Sequence, residues 1–148
     1  MKWLLDTNVL SEQFRQRPDR SVTDWLASRA ADETVISIVT VAELRVGARA
    51  VADKTRRDDI TRWIEDEISR SFADRILPLT VNVLVDWIEI GRALAARGET
   101  RAPADLLVAS TARIHDLIIV TRNARDFART GTIVYDPWSG KTHRMDRA

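Results

Sequence analysis

The sequence of 148 residues contains no cysteine and only two histidines, His115 and His143. Without cysteine the chain forms neither a disulfide framework nor a thiolate metal site, and two histidines are too few for a histidine-rich zinc site. Glycine is also scarce, and the five glycines do not form a phosphate-binding loop pattern. A catalytic site in this chain must therefore rely on other groups.

Long apolar runs are absent as well. No stretch is long enough to cross a bilayer, and the chain passes from Lys2 straight into a short apolar run without the pattern of a signal peptide. We therefore expect a cytoplasmic protein with no membrane association.

Lysine is rare, although lysine and arginine together number 23 and the formal net charge is +1. The only lysines are Lys2, Lys54 and Lys141. Arginine binds phosphate through two parallel hydrogen bonds and stacks on bases. A codon bias toward arginine explains the same excess, so this composition alone does not indicate a nucleic-acid partner.

The remaining composition is that of a globular domain, with 45% apolar and 30% charged residues. The sequence shows no internal repeat and no linker rich in proline, glycine or serine. We expect a single domain over residues 1–148, in which the segment after about residue 139 is a short polar tail.

Short apolar runs alternate with longer helical patterns along the chain. Strands are predicted at residues 3–5, 34–37, 75–79, 117–120 and 132–135. Helices are predicted near Val22 to Arg29, from about 39 to 51, from 57 to 72, from 81 to 96, and from Pro103 to about His115. This alternation predicts a three-layer α/β/α fold with a central, mostly parallel sheet covered on both faces.

Acidic residues stand at or near the predicted carboxyl ends of these strands. Asp6 ends the first strand, Glu43 lies early in the helix after the second, and Asp105 lies one turn into the helix opened by Pro103. Asn123 and Asp126 follow the strand at 117–120. Sites in open parallel sheets form at this edge, so these side chains are expected to converge there.

Each of these residues also has a structural interpretation. Asp6 can begin an Asx turn and Asn8 can cap the next helix. Glu43 is spaced from Thr40 as in a capping box, and Asp105 complements the helix dipole. For each residue taken singly, the structural interpretation is favoured. A functional site is indicated because all of these residues are expected at the same edge of the sheet.

A cluster of carboxylates offers hard oxygen ligands, which Mg²⁺ and Mn²⁺ prefer. No Ser/His/Asp arrangement, cysteine nucleophile or P-loop is evident in the sequence. Because the acids occur without a recognisable nucleophile or phosphate-binding loop, the sequence predicts metal-dependent hydrolysis of phosphodiester bonds.

Five segments carry a family resemblance: "LLDTNVLSE", "ISIVTVAELRVGA", "APADLLVASTA", "LIIVTRNARDF" and "VYDPW". They resemble the PIN-domain ribonuclease toxins of the VapC type, and within them the FitB-like group. The resemblance runs from about Trp3 to Trp138. It implies a Rossmann-like PIN fold, an endoribonuclease dependent on Mg²⁺ or Mn²⁺, and an RNA substrate. It also implies a small DNA-binding antitoxin of the VapB or FitA type, toxin homodimers, and larger assemblies with antitoxin on operator DNA.

The resemblance assigns the site residue by residue. It makes Asp6, Glu43 and Asp105 catalytic metal ligands, and it leaves the fourth acid open between two positions. We expect Asn123 to face the site and Asp126 to lie outside the direct ligands. The remaining candidates are supporting side chains, Thr7, Asn8 and Thr121, and two arginines that would grip RNA phosphates, Arg122 and Arg125.

Other classes share the acid pattern. A receiver-like phospho-acceptor domain would need a lysine after a late strand, and the only late lysine is Lys141, beyond the last predicted strand. A DNA-directed or structure-specific nuclease of the PIN type usually carries extra helices and basic regions. A non-catalytic nucleic-acid-binding PIN module would not need Asp6, Glu43 and Asp105 together.

Overall fold

The computed structural model describes residues 2–148, and its strands form a six-stranded sheet with the order β3-β2-β1-β4-β5-β6. The strands are β1 (Trp3–Leu5), β2 (Thr34–Ser37), β3 (Ile76–Leu77), β4 (Ile118–Val120), β5 (Ile133–Asp136) and β6 (Lys141–Arg144). Every neighbouring pair is parallel except β5 and β6, which are antiparallel. The carboxyl ends of β1, β2 and β4 therefore lie along one edge.

Successive residues of the central strands are buried on opposite faces of the sheet. Leu4 and Ile119 pack in one apolar cluster, whereas Leu5 and Val120 pack in another. The first cluster is closed by residues of one helix, α7 (Pro103–Ile114), and the second by helices from the first half of the chain. The predicted three-layer α/β/α arrangement is confirmed, because strands covered on both faces bury both sets of side chains.

The helices lie close to the predicted ranges. They are α1 (Thr7–Ser11), α2 (Arg20–Ala27), α3 (Ile38–Arg49), α4 (Lys54–Arg62), α5 (Ser69–Ser71), α6 (Val81–Ala96) and α7. A π-helical segment, Trp63–Ile68, joins α4 to α5, and short 3-10 helices occupy Glu12–Phe14, Ala31–Glu33 and Ala124–Phe127.

Local chemistry explains several helix ends. The carboxylate of Asp19 accepts a 2.9 Å hydrogen bond from the Ser21 amide and caps α2. Gly98, at a φ of +69°, follows the end of α6, where the left-handed conformation favours glycine. The helix predicted from residue 57 begins earlier, at Lys54, because Asp53 caps it through the Arg56 amide at 2.8 Å.

Two predicted elements need correction. The third strand, predicted at 75–79, covers only Ile76–Leu77, since Pro78 has no amide hydrogen for continued pairing. The segment after residue 139 is polar, as expected, but it is not a tail: β6 pairs with β5 over Lys141–Arg144. Gly140, at a φ of +72°, supplies the turn between them.

No helix within residues 2–148 combines the length and apolar character needed to cross a membrane.

Candidate metal centre and adjoining cavity

Asp6 leaves β1 at the edge described above and is only 8% exposed. Its carboxylate accepts hydrogen bonds from the Thr7 amide at 2.9 Å and from the Thr121 hydroxyl at 2.8 Å. Asp6 thereby caps α1, the role that the sequence had offered to Asn8. Both oxygens of the carboxylate are engaged, so the side chain is held in one orientation.

Thr121 is the centre of this arrangement. Besides donating to Asp6, its hydroxyl oxygen accepts hydrogen bonds from Asn8 Nδ2 at 2.9 Å and from the Asn123 amide at 3.1 Å. The Arg122 amide donates to Asn8 Oδ1 at 3.2 Å. The structure thus brings the expected supporting residues together, and they join the end of β1 to the end of β4.

Glu43 lies in the second turn of α3 and points toward the same edge. Its Oε1 accepts a 3.3 Å hydrogen bond from the Thr7 hydroxyl. The capping-box interpretation is wrong, because Ser37 caps α3 through the Val39 amide at 3.1 Å. Thr40 Oγ1 is buried with no hydrogen-bond partner within residues 2–148. The carboxylate of Glu43 is therefore not needed to begin the helix.

Asp105 lies in the first turn of α7 and is half-buried. Its pKa is raised from the usual 3.8 to about 6, first by burial and then by repulsion from the charges of Asp6, Asp126 and Glu43. A helix N-terminus alone would favour the ionised form and lower the pKa. The environment of Asp105 therefore overrides the helix dipole.

The other two acids show the same effect. Burial is the main reason that the pKa of Asp6 is raised, and the charge of Asp126 adds to it against the hydrogen bonds from Thr121 and Thr7. Burial and the charge of Asp6 raise the pKa of Glu43. In both residues burial is the larger cause, and a neighbouring negative charge adds to it. Acids whose pKa is raised by burial and by neighbouring charges are typical of functional sites.

Asn123 and Asp126 are the two residues between which the fourth position of the site was left open. Asn123 is exposed, and its amide hydrogen bond to Thr121 is a backbone contact. Asp126, in the short helix Ala124–Phe127, is half-buried and acts electrostatically on both Asp6 and Asp105. Asp126 thus adds a negative charge to the cluster, whereas Asn123 contributes its backbone amide; the choice between them as fourth ligand stays a prediction.

The donor set fits a hard divalent cation. Within residues 2–148, no three acidic or histidine side chains already surround one point as direct ligands. Mg²⁺ does not require such a cage, since it is commonly bound by one or two carboxylates together with water and substrate phosphates. Mutual repulsion of the carboxylates is the electrostatic state that a cation relieves.

A cavity of about 400 Å³ adjoins the acids. Thr7, Asn8 and Glu43 line one end of it, and Arg122 lies beside it with its guanidinium 5.5 Å from the ring centre of Trp138. Arg125 does not line this cavity. Of the two arginines predicted to grip phosphates, Arg122 is thus the one next to the cavity.

Three aromatic side chains that no sequence pattern marks as functional form one wall of this cavity. Phe14, Trp63 and Trp138 come from three separated segments and line it together. Trp63 falls on the apolar stripe of its helix, a spacing that indicates a core residue. No pattern in the sequence separates a ring that faces a cavity from one that faces the core.

Comparison with known proteins gives a consistent result. A family model described as the PIN domain matches residues 3–133. The chain is 35% identical to Toxin FitB of Neisseria gonorrhoeae, with 91% of this chain and 97% of that protein covered. It is 31% identical to VapC ribonuclease Y4jK of Sinorhizobium fredii, with 91% and 96% covered. The solved structure of FitAB bound to the IR36 DNA fragment matches with a TM-score of 0.84 at 33% identity, covering 92% of this chain and 95% of that chain.

Proposed function

The chain belongs to the PIN-domain family, in the group of the FitB and VapC toxins, and from this premise we propose that it is a metal-dependent endoribonuclease. It acts in the cytoplasm as the toxin of a toxin–antitoxin module and hydrolyses phosphodiester bonds of RNA. The proposed cofactor is Mg²⁺ or Mn²⁺, held by Asp6, Glu43 and Asp105 with Asp126 as the fourth charge.

One observation carries this proposal: Thr7 joins the carboxylates of Asp6 and Glu43 through its amide and its hydroxyl, at the edge where the half-buried Asp105 also feels the charges of both acids. A protein that needed these residues only as helix caps would have no reason to bring their charges together. Such repulsion costs stability in the metal-free protein and is offset when a cation binds. The name of the relative VapC ribonuclease Y4jK supports RNA as the substrate.

The residues of the chain have distinct tasks in this mechanism. Thr121 and the Thr7 amide fix the carboxylate of Asp6, while the Thr7 hydroxyl holds Glu43. Asp6, Glu43 and Asp105 would hold a Mg²⁺ or Mn²⁺ ion, which would supply charge neutralisation at the phosphoryl group and a water of lowered pKa. Arg122, exposed beside the acids, binds a phosphate of the RNA strand. Because these hydrogen bonds fix the carboxylates before the metal ion binds, little reorganisation is needed during the reaction.

We further propose a small DNA-binding antitoxin as the partner, because the structural relative FitAB is a complex bound to DNA. An acid cluster attracts a cationic side chain, so an arginine or lysine of the antitoxin would neutralise the site by reaching Asp6 or Asp105. A structure of the complex in which the antitoxin leaves these carboxylates open would contradict direct blocking.

A homodimer is the proposed state of the toxin itself. Four apolar side chains with the spacing of one helix face are exposed on α6, namely Val81, Leu84, Val85 and Ile88. An exposed apolar stripe of this kind is typical of an interface. Light scattering should find a dimer for the parent and a monomer for Val85→Asp. The control Val46→Asp changes an exposed valine on α3 and should remain dimeric; a dimeric Val85→Asp variant would place the interface elsewhere.

The function is tested by incubating the protein with RNA and with DNA, each with Mg²⁺ and with chelator. The proposal predicts cleavage of RNA with Mg²⁺ by the parent and none by Asp6→Asn. Preferential cleavage of DNA would instead favour a DNA-directed nuclease. Binding of RNA without cleavage under any metal would favour a non-catalytic nucleic-acid-binding module.

A further inference from the structure

We propose that the chain has a second binding site, for a phosphate ester, at the edge of the sheet opposite to the acids. The site is a cleft of about 470 Å³, here termed the amino-edge cleft, which is lined by Arg113 and Arg147. Its walls are the last turn of α7, the residues before β4 and β5, and the residues after β6. It shares no residue with the cavity beside the acids, so it is independent of the proposed ribonuclease function.

The topology of the sheet explains where the amino-edge cleft lies. Because β4 and β5 are parallel, the residues that precede them, Leu117 and Thr132, lie at the same edge. β6 runs antiparallel to β5 with Arg144 opposite Ile133, so the chain after β6 returns to this edge. The acids lie at the other edge, and β4, with three residues, separates the two edges by about 10 Å. A ligand in the cleft therefore leaves the acids free.

Arg113 is the less exposed of the two arginines, and 15% of its side chain is accessible. Its guanidinium lies 3.2 Å from Asp86 Oδ1 and donates a 3.3 Å hydrogen bond to the carbonyl of Thr130. These contacts hold the group in one orientation. A guanidinium has more N–H groups than the two contacts use, so donors remain for a ligand.

Arg147 is held in place by the backbone on both sides. The Gly131 amide donates to the carbonyl of Asp146 at 3.0 Å, and the Ala148 amide donates to the carbonyl of Arg129 at 2.9 Å. Gly131, at a φ of +73°, allows close approach, since a Cβ added there would lie 3.4 Å from the Cβ of Arg147. The point at which the Arg147 side chain leaves the backbone is therefore fixed beside the cleft.

The charges of the two arginines favour an anion between them. Burial is the main reason that the pKa of Arg113 is lowered, and the charge of Arg147 acts in the same direction against those of Asp86 and Glu89. None of the ion pairs formed within residues 2–148 includes Arg147. An anion that contacts both guanidinium groups relieves their repulsion.

A phosphate ester suits this arrangement better than a carboxylate. A single guanidinium satisfies both oxygens of a planar carboxylate, whereas a phosphate monoester has three acceptor oxygens and a larger negative charge. The cleft is also larger than a phosphate group. Its apolar lining includes Leu117, Ile133 and Met145, which would contact the organic part of the ester.

One acidic residue, Asp116, also lines the cleft. It is exposed on the turn between α7 and β4, at a φ of +53°, and water screens its charge. Asp116→Asn keeps a residue type that tolerates this backbone conformation. Because the change removes a negative charge beside the cleft, it should tighten phosphate binding about threefold. Weaker binding by this variant would indicate a cationic ligand and overturn the proposal.

The cleft depends on residues outside the matched part of the family. The PIN-domain model matches residues 3–133, whereas Met145 and Arg147 lie beyond them. The segment after residue 140 carries more basic than acidic side chains, which adds to the attraction of an anion. The family match therefore assigns this cleft no role.

The experiment measures binding by isothermal titration calorimetry in chelator, so that no metal ion holds phosphate at the acids. The probes are inorganic phosphate, adenosine monophosphate and adenosine. We expect the parent to bind adenosine monophosphate more tightly than adenosine. Arg147→Gln should weaken binding of adenosine monophosphate about tenfold, the effect of one charge-assisted hydrogen bond, and leave adenosine unchanged.

Arg144→Gln is the matched control. Arg144 is an exposed arginine of β6 and does not line the cleft. This variant should bind adenosine monophosphate as the parent does, and melting temperatures verify that both variants are folded. Equal binding by the parent and Arg147→Gln would overturn the proposal. An equal loss in Arg147→Gln and Arg144→Gln would also overturn it, because the attraction would then come from the basic segment as a whole.

A further pair of probes identifies the source of the phosphate. They are one short RNA strand with a terminal phosphate and the same strand with a terminal hydroxyl. Tighter binding of the phosphorylated strand that is lost in Arg147→Gln supports the site and assigns it to an RNA end. Equal binding of the two strands, with adenosine monophosphate still bound, supports the site and assigns it to a small molecule. RNA cleavage by the parent, whatever its result, bears only on the proposed function.

Discussion

The hydroxyl of Thr121 donates a 2.8 Å hydrogen bond to the carboxylate of Asp6, although 115 positions separate the two residues along the chain. The contact exists because β1 and β4 are parallel neighbours, with Leu5 opposite Val120. Each strand thus delivers the residue that follows it to the same point. The hydrogen bond also lowers the pKa of Asp6, opposing the effect of burial.

Replacing Thr121 by valine removes this donor while keeping the shape of the side chain. The buried carboxylate of Asp6 then loses a partner, and the amide groups of Asn8 and Asn123 lose an acceptor. We expect the free energy of unfolding to fall by about 1–3 kcal/mol, together with a loss of RNA cleavage. Urea denaturation and a cleavage assay measure the two effects. Thr121→Ser retains the hydroxyl and should stay near the parent in both; a valine variant with full activity would show that Asp6 needs no such support.

Removal of the metal is the second test. Cleavage should disappear in chelator and return with Mg²⁺ or Mn²⁺, because oxygen ligands hold these ions reversibly. Saturating Mg²⁺ should also raise the melting temperature of the parent by mass action, and that of Asp6→Asn much less. Cleavage that persists after exhaustive chelation would contradict the metal-dependent mechanism proposed above.

The stability of the metal-free protein should depend on the ionisation of Asp105. The folded protein binds its proton more tightly than the unfolded chain, since the pKa is raised from 3.8 to about 6. The contribution of Asp105 to the free energy of unfolding is therefore greatest below about pH 4. It falls as the pH rises through 6. A shift of this size corresponds to about 3 kcal/mol, which solvent screening of a half-exposed carboxyl reduces to about 1 kcal/mol.

Asp105→Asn isolates this contribution. In chelator at pH 7 the variant should be as stable as the parent or more stable, and the difference should vanish near pH 4. Thermal melting of both proteins over this pH range measures it. A variant that melts well below the parent at pH 7 would indicate that Asp105 is a structural residue, as the capping interpretation holds.

The fourth acid is tested by comparing two substitutions. Asp126→Asn should lower cleavage by about 10–100-fold, the usual effect of removing a charge beside a metal site, because Asp126 acts on both Asp6 and Asp105. Asn123→Ala removes an exposed carboxamide and should lower it much less. Activity assays at fixed Mg²⁺ compare the two variants. The opposite order would restore the expectation from the sequence, in which Asn123 faces the site.

Local patterns in the sequence were sufficient for much of the architecture. The first two strands and α6 match their predicted ranges, because a short apolar run or a helical period depends only on neighbouring residues. The acids Asp6, Glu43 and Asp105 were identified for the same reason, since a polar residue directly after a strand or early in a helix is visible without knowing the fold.

Tertiary structure decided which distant groups meet. The order of the strands, rather than any local pattern, brings Thr121 to Asp6, and the path of the chain after β4 brings the charge of Asp126 to the other acids. The polar segment that became β6 carries no apolar run, and the antiparallel ladder with β5 orders it. The three aromatic side chains of the cavity wall likewise come from separate segments, so their convergence is a property of the packed layers. The sequence by itself thus determined the elements and the chemistry available at their ends, and folding determined the distances, because long-range proximity follows from the order in which strands pair and helices pack.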